Sequence, residues 1–133
     1  MPAGKIMDKD VLYWINLSRY DIDTAKAMLA GRRYLYVLFT CQQAIEKMLK
    51  ALVVKNTGKF PPKIHDLVKL LTIAGIEAPE EKKEFLAKLN YYYLETRYPA
   101  ELTEISKLIK RQTALNIFNE TRKMLVWLKS NVQ

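Results

Sequence analysis

The chain has 133 residues, half of them apolar and 27% charged, a globular composition that excludes a disordered polymer. With only 4 Gly and 5 Pro there are few places for tight turns, which argues against an all-β fold and for a helical bundle. A formal charge of +8 with one Cys and one His excludes an internal disulfide and a cysteine or histidine metal cluster, and it reads equally as a surface for phosphate-bearing or acidic partners or as a solvated basic surface.

The first predicted helix runs from about Asp8 to Ala30. Asp8 and Asp10 suit the positive end of its dipole. At 100° per residue Val11, Ile15, Ser18, Ile22, Ala25 and Leu29 form one stripe, widened by Trp14. Asn16, Arg19, Asp23 and Lys26 lie opposite. Asp21 sits on the Trp14 side of the apolar sector. It reads either as a boundary carboxylate bonded to a neighbouring helix or as a functional group. Gly31 is the expected C-terminal cap.

The second predicted helix, Arg33 to about Lys55, is the longest apolar periodic segment. Tyr34, Leu38, Cys41, Ile45, Met48, Leu49 and Leu52 make its core stripe, widened by Val37 and Ala44. Cys41 falls on that stripe and reads as a buried, inert thiol. The opposite face mixes Tyr36, Phe39 and Val54 with Gln43, Glu46, Lys47 and Lys50. That pattern predicts a central helix with a second packed surface, against another helix or a second copy of the chain. Glu46 and Lys50 stand at i and i+4, a surface pair worth a few tenths of a kcal/mol. The functional alternative is a polar face that offers Lys47 and Lys50 to an anion.

Gly58 and Pro61-Pro62 break that helix. A short helix from about His65 to Ala74 follows, with Leu67, Leu70 and Leu71 buried and Gly75 at its end. His65 and Asp66 are adjacent at its start, so neither orients the other as a hydrolytic triad requires. Pro79 opens a fourth helix near Glu80, with Phe85, Leu89, Tyr92 and Thr96 on one face. Pro99 disfavours continuing it past Tyr98. A fifth helix is expected over about Lys107 to Asn131, with Ser106 as N-cap and Leu108, Leu115, Phe118 and Leu125 at helical spacing.

Two stretches remain as candidate chemistry. Between Lys47 and Lys69 there are six Lys and one acid, Asp66. Four of the eight Tyr fall between Tyr91 and Tyr98, with Arg97 among them. Arg97 either caps helix carbonyls and stacks on tyrosine, or binds a phosphate while a tyrosine stacks on a base. No apolar run approaches the roughly 18 residues of a membrane span. The N-terminus lacks the apolar core of a signal peptide, so a cytoplasmic location and no membrane contact are expected.

The ordered set Trp14 and Asp21, then Gln43-Ala-Ile-Glu-Lys-Met-Leu-Lys-Ala51, then Ile64-His-Asp-Leu67, then Thr96-Arg-Tyr-Pro99 resembles the HEPN family of small prokaryotic helical domains. The resemblance covers about residues 8–130. It implies an all-α, up-and-down bundle of about five helices in a single domain over residues 1–133, usually dimeric. Many members are encoded beside a minimal nucleotidyltransferase and act with it as a toxin–antitoxin or nucleotide-handling module. Several are metal-independent ribonucleases whose motif is an Arg followed four to six residues later by a His at the dimer interface. Arg97 matches the Arg, and no His follows it.

The expectation is therefore a non-catalytic, homodimeric subunit that pairs with a minimal nucleotidyltransferase, without metal or cofactor. It would bind a nucleotide or RNA phosphate through Arg97, Tyr98, Lys47 and Lys50, supported by Asp21, Gln43, Glu46, His65 and Asp66. The alternatives are a metal-independent ribonuclease with a degenerate active site centred on Arg97, and a purely structural dimerisation module.

Overall fold

The computed structural model describes residues 2–95, 104 and 106–132, with side chains from residue 8 to residue 93 and from 106 to 132, and that of Glu104. It is helical throughout the elements described: α1 Pro2–Ala30, α2 Tyr34–Thr57, α3 Leu67–Ile73, α4 Glu80–Glu95 and α5 Arg111–Lys129. Residues 106–108 are also helical. Thr96, Arg97, Tyr98 and Pro99 lie outside the described residues.

α2 is the axis of the bundle. It packs against α1, α3, α4 and α5, while α3 also meets α4 and α1 also meets α5. The two-sided apolar pattern of its sequence explains this. Val37, Leu38, Cys41, Ile45, Leu49 and Leu52 are buried in the main core, whereas Ala51 and Val54 join Val11 and Trp14 in a smaller cluster against α1. Phe39 faces another helix of the same chain, stacking on Tyr93 of α4 with centroids 5.6 Å apart. The polar member of the α1 stripe, Ser18, is buried and donates to the Ala44 carbonyl at 2.7 Å. A hydroxyl in an apolar stripe is tolerated because it has this partner.

Residues 31–33 turn α1 back onto α2, and here the expected cap shifts by one. Arg32, not Gly31, takes the left-handed conformation, with φ 60°. Its N–H bonds the Leu29 carbonyl at 3.2 Å and the Arg33 N–H bonds that of Met28 at 2.8 Å. This is the Schellman arrangement, which usually puts glycine at the left-handed position. α3 follows that habit. Gly75, with φ 73°, bonds Thr72, and Ile76 bonds Leu71. Arg32→Gly should thus relieve a backbone penalty of about 1 kcal/mol. Urea denaturation of the variant should show a midpoint above that of the parent; a lower midpoint would contradict the turn.

α3 begins two residues later than its sequence suggested, because Asp66 is its N-cap. The Asp66 carboxylate accepts from the backbone of Val68 at 3.0 Å and of Lys69 at 3.2 Å. α5 departs further. Its N-cap is Lys110, after a break at residues 109–110, so Ser106 does not cap it. Its buried face is Ala114, Ile117, Phe118, Thr121, Met124 and Leu128. Leu108 is 74% exposed, and Leu115 and Leu125 are half-buried. A stripe anchored on Leu108 is out of phase because Leu108 precedes the break.

Candidate functional site

Most of the sequence-predicted polar residues converge on the middle of α2. Glu46 and Lys50 lie one turn apart and are not a surface pair. They are 2% and 7% exposed, with Lys50 Nζ 3.0 Å from Glu46 Oε2. Burying an unpaired carboxylate is costly, so it needs partners on both oxygens. The second oxygen, Oε1, meets His65 Nδ1 at 2.9 Å and accepts from Gln42 Nε2 at 3.2 Å. Lys50 also lies over the Trp14 ring at 5.5 Å, a cation–π contact that compensates part of its lost hydration.

His65 is held twice. Its ring meets Glu46, and its backbone carbonyl accepts from Gln42 Nε2 at 3.0 Å. A carboxylate oxygen accepts, so Nδ1 is the donor of this contact and Nε2 is the ring nitrogen it leaves unused. The His65 side chain is 49% exposed. Tyr93 flanks it with ring centroids 5.1 Å apart, continuing the stack on Phe39.

A second ion pair adjoins the first. Lys47 Nζ donates to Asp21 Oδ2 at 2.9 Å and to Gln43 Oε1 at 3.3 Å. Asp21 is thus the boundary carboxylate that joins α1 to α2. Gln43 Nε2 in turn donates to Gln42 Oε1 at 2.7 Å, linking the two pairs. The network is electrically balanced: two lysines face two carboxylates. Neither ammonium is displayed to solvent as a free cation, although each keeps N–H capacity beyond these bonds.

Asp66 stands apart from His65 chemically. Its carboxylate caps α3 and accepts from Asn90 Nδ2 at 2.9 Å, while Asn90 Oδ1 accepts from the Leu67 N–H at 2.9 Å. Asn90 therefore docks α4 on the start of α3 and sets Tyr93, one turn later, beside His65. Gln42, which opens the polar stretch of α2, and Asn90 are network positions that the sequence analysis gives no role. Gln42 sits at the edge of the recognised motif, and an Asn in a tyrosine-rich helix carries no spacing signal.

Arg97 and Tyr98 lie outside the described residues. Among the described residues no group of three or more His, Cys, Asp or Glu is arranged to hold a metal, and no helix is long and apolar enough to cross a membrane.

Comparisons with known proteins place the fold. TT1696 from Thermus thermophilus shares 24% identity and superposes with a TM-score of 0.78, covering 91% of this chain and 97% of that one. The archaeal HEPN homologue ST0689 shares 22% identity with a TM-score of 0.75, covering 92% of this chain and 98% of that one. At these identities they establish the fold. No curated protein matches the sequence. The family model of the HEPN domain matches residues 11–131, a span that holds the whole network from Trp14 to Tyr93, and the chain belongs to the HEPN domain family.

Proposed function

We propose that this chain is a non-catalytic HEPN subunit that acts as a homodimer, pairs with a minimal nucleotidyltransferase and binds a nucleotide or RNA phosphate. Membership of the family is what supports the pairing and the dimer. The observation that supports phosphate binding is the formal charge of +8, and the charge balance of the network on α2 bears on where the cation comes from. Asp21 and Glu46 each already neutralise one lysine, so a bound phosphate needs a further cation. Arg97, the second residue after α4 in the sequence, is the group assigned that charge. Tyr98 is the stacking partner, and Lys47 and Lys50 supply auxiliary N–H donors. Two measurements test this. The chain and a nucleotidyltransferase encoded beside it should co-elute at micromolar concentration, and separate elution would end the pairing. A fluorescent single-stranded RNA should bind with an affinity that falls at least tenfold in Arg97→Ala and weakens with salt; equal affinity in parent and variant would remove Arg97 from the site.

One observation favours a second reading. The Glu46–His65 contact holds a half-exposed imidazole through Nδ1 and leaves Nε2 for a general base. In a ribonuclease, Nε2 would take the proton of a 2′-hydroxyl while its oxygen attacks the adjacent phosphorus. The 5′-oxygen would leave with a proton from solvent. His65→Ala should then reduce RNA cleavage by about 10²–10⁴-fold, with the fold intact because the ring is half outside. RNA left uncleaved by the parent chain at high concentration would dispose of this reading.

A further inference from the structure

The turn that joins α1 to α2 borders a cavity of about 300 Å³ lined by Arg32, Arg33, Tyr34, Tyr36, Ser106 and Ile109, together with Leu35. Three features set it apart from an ordinary basic surface. The first is placement. Neighbouring residues of a helix project about 100° apart, yet both arginines line one cavity. The left-handed step at Arg32 (φ 60°) and the non-helical backbone of Arg33 (φ −98°, ψ 65°) make this possible. An arginine here occupies the position where the same turn in α3 has Gly75, the residue the backbone prefers.

The second feature is charge. Every lysine of the α2 network is matched by a carboxylate, whereas neither Arg32 nor Arg33 takes part in an ion pair or side-chain hydrogen bond among the described residues. Two planar guanidiniums with open donors suit the oxygens of a phosphate. The third is the wall. Tyr36 is 51% exposed, and Tyr34, which also lines the cavity, packs against the core. An exposed ring beside paired cations is a surface on which a base stacks. The volume matches the lower end of small-ligand sites, which suits one nucleotide unit.

From these we propose that the cavity at the α1–α2 turn is a nucleotide-binding site, with Arg32 and Arg33 holding the phosphate and Tyr36 stacking on the base. The site rests on the reading of the chain as a phosphate binder, and it moves the charge to residues outside the polar network on α2.

The test is calorimetric titration of the full chain with AMP, with adenosine and inorganic phosphate as the partial ligands. AMP should bind saturably, adenosine and phosphate each more weakly. Arg32→Gly combined with Arg33→Gln should weaken AMP at least tenfold. The Gly substitution removes the guanidinium without harming the turn, and Arg33→Gln alone serves if the pair fails to fold. Amide shifts of Leu35, Tyr36 and Ile109 in the parent should move with AMP and locate the ligand without any variant. Parent-like affinity in the arginine variants, or shifts that bypass these amides, overturns the proposal. Arg97→Ala is read separately. Loss of AMP in that variant alone would keep the Arg97 reading and reject this site, and absence of any AMP binding by the parent rejects the site outright.

Discussion

Glu46→Ala is expected to destabilise the fold by about 3–5 kcal/mol, the range for removing one partner of a buried ion pair. The magnitude comes from what stays behind. Lys50 would remain 7% exposed with its counter-charge gone. Gln42, fully buried, would lose its Glu46 acceptor, and the His65 ring would lose its only described carboxylate. Urea denaturation followed by far-ultraviolet circular dichroism reads the loss as a shift in midpoint at constant slope. Glu46→Gln should fall between parent and Ala, since an amide oxygen still accepts from His65 but no longer neutralises Lys50. The double variant Glu46→Leu with Lys50→Met should recover most of the stability, because an apolar pair of similar volume carries no desolvation penalty. A loss below about 1 kcal/mol in Glu46→Ala, the scale of exposed pairs, would mean that the pair is solvated and the network does not shape the site.

The same pair marks the boundary of what is legible in the sequence. The i, i+4 relation of Glu46 and Lys50 is visible in any helical reading, and the mixed second face of α2 does point to a central helix. The burial of the pair is not visible, because it depends on what covers that face. Trp14 of α1 and the loop before α3 supply the cover, and neither approach is encoded in the periodicity of α2. The Glu46–His65 bond joins residues 19 apart across a loop. Adjacency in the chain pairs His65 with Asp66 instead, whose carboxylate is engaged by the α3 backbone and Asn90. In α5 the difference is one of phase. Ala114 and Thr121 are small or polar and carry no weight in an apolar stripe, yet they are fully buried. In α1 the stripe through Ser18 is legible because the 3.6-residue repeat is unbroken from Val11 to Leu29.

Cys41 carries the second large effect. It is fully buried on α2, and burial pushes its thiol from 9.0 up to about 12, with the Thr121 hydroxyl pulling slightly the other way. That hydroxyl has no hydrogen-bond partner of ordinary geometry among the described residues, so it is available to the sulfur but weakly aimed. In the unfolded chain the thiol ionises near its usual value, so between about pH 9 and pH 12 the unfolded state has released a proton that the native state keeps. The contribution is therefore fully present below pH 9 and is lost as the pH rises, by about 1.4 kcal/mol per unit and about 4 kcal/mol across the window. Tyrosines and lysines titrate in the same range, so the effect is isolated by comparing the parent with Cys41→Ala. The variant carries a pH-independent cavity cost of its own. The stability advantage of the parent should shrink steadily above about pH 9, and a difference that stays constant to about pH 11 would contradict the burial. Below about pH 9 the same shift leaves about a thousandfold less thiolate than an ordinary thiol. A disulfide reagent should therefore label Cys41 only as fast as the bundle opens, which makes this residue a reporter of α2 packing and excludes it as the nucleophile of any chemistry at the site.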